Sequence, residues 1–476
     1  MDIEQARKRA KELTKAWRAA GRPGRLADAQ REIARGLGFS SWPALVHHAE
    51  AEAVDRAQRV ETFVDWATNG RRDRAQALLD LDPSLTGTSL DVALLVGDAE
   101  RARSAFAPRG GRGPAAGGRG AVAGGGAAGG DGAARDPDAP FGHRAWAPLV
   151  YVTHSAFLGS ERTDALVETA RVLLDAGADP NASWQHPEFG ALSALYGAAG
   201  VNNEPRMTAL LLDRGANPDD GESLYHSVES RDHTCTKLLL DAGAPVANSG
   251  ALGNSLCYDD LECTRLLLEH VEPGADLDGL IEFALAYERS RAHIELLLAH
   301  GAPATPKAAT LAIRRGRDDL ADLLGDPGDV APVDRFIGAI RRGDRDTALD
   351  LRPGLTLTQA DHDVLVHAAV VQNAPAVELM LELGFPIDVR SEQFNETALH
   401  AAAWYGHADM VEKLLAHGAD PNAVAGDPVG TTLDWAVQGT RRAPEGGDHA
   451  RTVELLQRAG ATLVRESPDE LALIGS

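Results

Sequence analysis

The chain has 476 residues, and 47 Lys and Arg against 70 Asp and Glu give it a formal charge of −23 at pH 7. This excess of negative charge repels nucleic acids and anionic membranes, so we expect neither as a partner of the whole chain. Three cysteines are too few for a disulfide framework. The N-terminus lacks an apolar signal segment, and no apolar run reaches about 18 residues. These features predict a cytoplasmic protein without a membrane span.

Residues 1–55 are predicted to form a small helical module. Its first 50 residues carry ten Lys and Arg against six Asp and Glu, a local charge of +4. Two helical patterns come first, and Ser41 and Pro43 then suit the cap and first turn of a third helix. We expect the module to cover the apolar face of the first repeat. Its basic charge leaves an alternative open, in which it binds nucleic acid and the rest of the chain regulates that binding.

Residues 56–106 are predicted to be degenerate repeats, and residues 107–140 a disordered linker. Between Pro108 and Pro140 the chain has 12 glycines and almost no large apolar side chain. Such a segment cannot bury a core.

A short apolar ending, Leu-Leu-x-x-Gly-Ala, recurs along the chain. Its glycines are Gly177, Gly215, Gly243, Gly301 and Gly418. A glycine after an apolar helical face is typical of a helix C-terminus. Helix pairs that repeat about every 30 residues predict a solenoid. Because similar stretches begin at Phe63 and Phe336, we expect a first array over 141–330, a second over 331–465 and a tail over 466–476.

The clearest copy is the segment 397–422, TALHAAAWYGHADMVEKLLAHGADPN. It resembles the ankyrin-repeat signature, which usually has proline where Ala398 lies. The stretch from Leu26 resembles a helical module that precedes ankyrin arrays in bacteria, and the abundance of Arg, Ala and Gly also hints at a bacterial source. The implied fold class is an all-α ankyrin-repeat solenoid of helix-turn-helix units with a small N-terminal helical module.

The resemblance implies structural roles for four residues of this segment. Thr397 would cap the first helix, and His400 would hydrogen-bond the turns between repeats. Gly406 and Gly418 would end the first and second helices.

The sequence contains no motif of a known catalytic or cofactor site. A phosphate loop, a serine nucleophile elbow, a zinc-protease helix, paired cysteines and a calcium loop are all absent. We therefore expect no enzymatic activity, no cofactor and no metal. The best acid–histidine group lies between Asp361 and His367, and Cys257 with Cys263 is the best thiol pair. We interpret both as parts of the scaffold.

The remaining function is binding. In ankyrin repeats the two residues before the first-helix glycine, and residues of the preceding turn, face the concave surface. Here these positions are Trp404, Tyr405, Phe394 and Glu396, with Tyr287 and Glu229 at matching places. Aromatic side chains dominate binding hot spots, so we expect a non-enzymatic scaffold for an unidentified protein with basic and apolar patches. The alternative is that Trp404 packs on the neighbouring repeat.

Overall fold

The computed structural model describes residues 3–20, 26–106, 135–426, 429–442 and 446–464. The chain consists of two compact units, one up to Asp276 and one from Leu277. None of the helices in these ranges is both long enough and apolar enough to cross a membrane.

Three helices form the predicted N-terminal module: α1 (Ile3–Ala19), α2 (Leu26–Gly36) and α3 (Trp42–Ala53). The Ser41 hydroxyl accepts a hydrogen bond from the Ala44 amide at 3.2 Å, and Pro43 lies in the first turn of α3. The predicted cap is therefore confirmed. Phe39 and Trp42 pack against a small core of Ala6, Ala34 and Leu45.

Six helix pairs complete the first unit within its described residues. They are α4 (Arg59–Thr68) with α5 (Arg72–Leu81), α6 (Leu90–Val96) with α7 (Ala99–Phe106), α8 (Pro148–Thr153) with α9 (Thr163–Asp175), α10 (Ala194–Tyr196) with α11 (Pro205–Asp213), α12 (Ser223–Ser227) with α13 (Thr234–Asp241), and α14 (Ala251–Cys257) with α15 (Leu261–Leu268). We call the two members of each pair the first and the second helix.

The second unit is built in the same way. Its pairs are α16 (Leu280–Ala286) with α17 (Arg291–Ala299), α18 (Pro306–Arg314) with α19 (Ala321–Leu324), α20 (Pro332–Arg342) with α21 (Arg345–Leu351), α22 (Gln359–His362) and α23 (Val364–Val370) with α24 (Ala374–Glu382), α25 (Ala398–Trp404) with α26 (Ala408–Ala416), and α27 (Thr432–Arg442) with α28 (His449–Arg458). Consecutive first helices pack on one another, as α23, α25 and α27 do.

The recurrent Leu-Leu-x-x-Gly-Ala ending has one geometry in all five copies. Each glycine has a φ between +88° and +96°, a left-handed conformation that glycine adopts without strain. The amide of the following alanine then donates back to the carbonyl of the first leucine, at 3.0 Å from Ala178 to Leu173 and 3.1 Å from Ala419 to Leu414. That leucine is fully buried in every copy. The prediction that these glycines end helices is confirmed.

A β-hairpin interrupts the helical pattern of the first unit. Its strands β1 (Ser183–His186) and β2 (Gly190–Ser193) are antiparallel, with Ser183 opposite Ser193. The sequence predicted only helices, so this hairpin is a difference from the prediction. It places Trp184, His186 and Phe189 together, and Phe189 at the turn is 65% exposed.

The boundary between the two compact units does not coincide with the boundary between the two predicted arrays. The predicted boundary between 330 and 331 falls inside the second unit, where α20 packs on α18. The two helices approach so closely that a Cβ on Gly338 would lie 2.0 Å from the Ile313 carbonyl oxygen. Phe336 is fully buried in α20, as Phe63 is in α4. Their similar stretches therefore mark a shared repeat type, and Phe336 does not open a separate unit.

The predicted linker lies outside the described residues from 107 to 134, as does the predicted tail 466–476. The last linker residues are held in place. The Arg135 amide donates to the Ala105 carbonyl at 2.9 Å, and the Asp138 carboxylate accepts from the Asp179 amide at 2.7 Å.

We expect Gly418→Ala to lower the free energy of unfolding by about 1 kcal/mol, because alanine is strained at a φ of +88°. Nothing lies within 4 Å of the added Cβ, so the cost comes from the backbone alone. Urea unfolding followed by circular dichroism measures it. Gly36→Ala is the control. No atom lies within 4 Å of the Cβ added there and the φ of Gly36 is not positive, so the free energy of unfolding of this variant should stay the same or rise. Equal effects of the two changes would contradict this explanation.

Candidate binding surface

Thr397 and His400 form a buried connection between two repeats. The Thr397 hydroxyl oxygen accepts from the His400 amide at 3.4 Å and lies 2.8 Å from His400 Nδ1. His400 Nε2 lies 3.2 Å from the Gly430 carbonyl oxygen, in the loop before α27. Because a carbonyl can only accept, Nε2 carries the proton and Nδ1 accepts from the Thr397 hydroxyl. Both residues are therefore placed as structural elements, with His400 fully buried.

Burial also holds His400 in its neutral form. Desolvation lowers its pKa to about 4, and hydrogen bonds to the carbonyls of Gly430 and Ala423 oppose that shift. The neutral, fully hydrogen-bonded ring is enclosed by protein. It has the properties of a scaffold residue and cannot reach a substrate.

The pKa of His400 makes stability depend on pH. The unfolded chain takes up a proton below about pH 6.5, whereas the folded chain does so only near pH 4. Its contribution is complete above pH 6.5 and is lost as the pH falls towards 4. In urea titrations from pH 6.5 to 4.5, His400→Gln should lose less stability than wild type, by up to about 1.4 kcal/mol per pH unit. Exposed His417→Gln should keep the wild-type slope. Parallel curves for wild type and His400→Gln would contradict the assignment.

Trp404 and Tyr405 lie at the end of α25 and are half-buried. The Trp404 ring meets Trp435 of the next repeat edge-on, with centroids 5.6 Å apart. Tyr405 stacks on His407 at 5.5 Å, and burial, with a smaller effect of Glu396, raises its pKa. The alternative prediction for Trp404 is thus partly correct: the Trp404 ring packs on the neighbouring repeat, and part of it stays exposed.

The residues of the preceding turn differ from each other. Phe394 is 48% exposed and remains available to a partner. Glu396 is only 7% exposed, accepts a hydrogen bond from the Ser391 hydroxyl, and its backbone carbonyl accepts from the Ser391 amide. The expectation that Glu396 faces a partner is therefore corrected, because its carboxylate is used to close its own turn.

Tyr287 and Glu229 lie at the ends of first helices, as expected. Tyr287 follows the last residue of α16, is 40% exposed, and its ring lies 4.7 Å from Phe283. Glu229 follows α12, and its carboxylate lies 2.8 Å from His226 Nδ1. Both side chains reach solvent.

Gly406 shows how closely the final repeat packs on α25. Its φ is +68°, and an added Cβ would lie 3.0 Å from both Gly447 Cα and the His449 ring. The Asp448 amide donates to the Gly406 carbonyl at 2.8 Å. The segment that leads into α28 thus contacts the repeat beside Tyr405.

The acid–histidine group at 361–367 does not converge on one point. Asp361 accepts from Arg314 at 2.8 Å, and Asp363 accepts from the Glu392 amide at 3.2 Å. His362 lies edge-on to a phenyl ring. His367 lies beside Arg341 and Glu288, and burial, reinforced by Arg315 and Arg341, lowers its pKa to about 3.

The thiol pair is also separated. Cys263 is buried, and burial raises its pKa to about 12, whereas Cys257 is exposed. Within the part of the chain that the structure describes, no group of three or more His, Cys, Asp or Glu residues could hold a metal ion.

The sequence did not single out an aromatic group around the hairpin. Trp184 Nε1 donates to Nε2 of buried His154 at 3.3 Å, and its ring lies 4.8 Å from Trp146. Burial lowers the His154 pKa to about 4, which keeps that nitrogen free to accept. His186 stacks on exposed Phe189 at 4.7 Å. The available signal was the concentration of aromatic residues around Pro187 in a chain that is 5% aromatic.

Comparisons with known proteins identify the repeats of one part of the chain. Residues 380–434 match the family model described as ankyrin repeats (many copies). Among solved structures, the crystal structure of the human ASB11 ankyrin repeat domain is 21% identical, with 56% of this chain and 98% of that chain covered and a TM-score of 0.20. No curated protein matches the chain. The family match and the stacked helix pairs define the fold as an all-α ankyrin-repeat solenoid.

Proposed function

We propose that this chain is a non-enzymatic scaffold that binds another protein through the ends of its first helices, on the concave ankyrin surface. The observation that carries the proposal is the position of its tyrosines. Of six tyrosines in the chain, Tyr258, Tyr287 and Tyr405 each follow the last residue of a first helix. Val371 holds the same position after α23 and is 39% exposed.

This position favours recognition over packing. Leucine and alanine fill the interior of the repeats, and the apolar tyrosine rings stay partly in water at 43% exposure for Tyr258 and 40% for Tyr287. Tyrosine is enriched in binding hot spots, since it buries a large area and keeps a polar end. The match to ankyrin repeats supports a protein as the partner. Nucleic-acid binding by residues 1–55, a bacterial source and a cytoplasmic location stay predictions.

We expect the double variant Trp404→Ala/Tyr405→Ala to weaken binding by about 2 kcal/mol, a loss of roughly thirty-fold in Kd. The partner is first identified by affinity capture, and the Kd is then measured by calorimetry with the purified protein. Because Trp404 contacts Trp435, unfolding is followed in parallel, and we expect about 1 kcal/mol of destabilisation.

Tyr287→Ala should weaken binding of the same partner with little effect on stability, because its ring is more exposed. Leu349→Ala is the matched control: Leu349 is 45% exposed but lies on the second helix α21. Loss of binding by Leu349→Ala, with full binding by both aromatic variants, would place the interface on the second helices and refute the proposal.

A further inference from the structure

We propose that the first unit recognises a basic segment of its partner, with Arg or Lys side chains seated on a tyrosine–glutamate surface. This surface consists of Tyr196, Glu222, Tyr225, His226, Glu229 and Tyr258. The inference rests on the protein-binding function proposed above and adds the chemistry of the partner.

Three tyrosines from three consecutive repeats supply the aromatic part of this surface. The Tyr196 ring, at the end of α10, lies 5.3 Å from the His226 ring, and Tyr225 of α12 lies 4.9 Å from it. The rings of Tyr196, His226 and Tyr225 therefore form one strip. Tyr258, after α14, lies near enough to Glu229 for that carboxylate to raise its pKa. Faces of tyrosine rings attract guanidinium and ammonium groups within about 6 Å.

Two carboxylates in the strip have more acceptor capacity than their neighbour can satisfy. Glu222 lies 3.3 Å from His226 Nε2, and Glu229 lies 2.8 Å from His226 Nδ1. An imidazole ring has at most two N–H groups, so it can donate to no more than one oxygen of each carboxylate. A guanidinium has five donors in a planar fork and can serve both carboxylates while it stacks on a tyrosine.

The negative charge is also felt by the tyrosines. Burial raises the pKa of Tyr196, and Glu222 and Glu229 raise it further. Burial likewise raises the pKa of Tyr258, with Glu229 adding to the shift. Both phenols thus stay neutral and keep their electron-rich faces for a cation.

The charge around the tyrosine–glutamate surface also favours a basic segment as the partner. Residues 183–260 contain eleven Asp and Glu against four Lys and Arg. This local excess attracts a cationic segment and repels nucleic acids and acidic peptides. Exposed Phe189 at the hairpin adds an apolar contact in the same unit.

The test uses the full chain and a fluorescein-labelled nona-arginine peptide, with nona-citrulline as its uncharged analogue. Anisotropy at about 0.15 M salt gives the affinity while long-range attraction is screened. We expect Glu222→Gln/Glu229→Gln to weaken nona-arginine binding about ten-fold or more. Glu262→Gln/Glu269→Gln, at exposed positions in α15 and directly after it, makes the same charge change and should alter nona-arginine binding less than about two-fold. Nona-citrulline should not bind.

A second pair of variants tests the rings. Tyr196→Phe/Tyr225→Phe keeps the aromatic faces and should bind nona-arginine nearly as wild type does, whereas Tyr196→Leu/Tyr225→Leu should bind several-fold more weakly. Circular dichroism melting curves confirm that each variant is folded.

Equal weakening by the two glutamate pairs would overturn the inference, since the net charge alone would then explain the affinity. Unchanged binding by Glu222→Gln/Glu229→Gln would also overturn it, since these carboxylates would then not hold the peptide. That result would leave the proposed scaffold function standing, because the Trp404, Tyr405 and Tyr287 variants test it with the natural partner.

Discussion

A hydrogen bond that closes the second helix, found at seven of the described second helices, is the interaction on which these repeats depend. A left-handed glycine turns the chain, and the next amide donates to the carbonyl of a buried leucine, as Ala419 does to Leu414. The same bond fixes the leucine in the core and the direction in which the chain leaves. Because helices of seven to nine residues are marginal alone, each pair is stable only when its neighbours cover its apolar face.

Because the closing bonds and buried leucines of the second helices hold the repeats together, the ends of the first helices can serve binding. Interior positions must be leucine, alanine or a satisfied polar group such as neutral His400, whose two ring nitrogens are both occupied. At three first-helix ends the following residue does not fill the interior, and Tyr258, Tyr287 and Val371 occur there with partly exposed side chains. Repetition of the scaffold within each unit thus presents variable residues at successive first-helix ends, which suits an extended partner.

The helix pairs could be predicted from the sequence because the leucine–glycine ending reports a local geometry. Two further copies of this ending were missed because their sequences differ from the Leu-Leu-x-x-Gly-Ala pattern. Phe385 and Ala461 donate to Met380 and Leu456 at 3.0 Å after left-handed glycines. Met380 replaces the first leucine of the pattern in one copy, and Gln457 replaces the second leucine in the other. Long-range contacts were beyond such patterns. Neither the hairpin around Pro187, the burial of Glu396 by Ser391, nor the packing of α20 on α18 leaves a periodic signal.

Hydrogen–deuterium exchange of the full chain with and without its captured partner tests the central claim most directly. The account predicts slower exchange on binding at first-helix ends, above all in residues 194–201, 223–230, 251–258 and 398–406, with second helices unchanged. Protection confined to the second helices, or to the N-terminal module at 3–53, would contradict it.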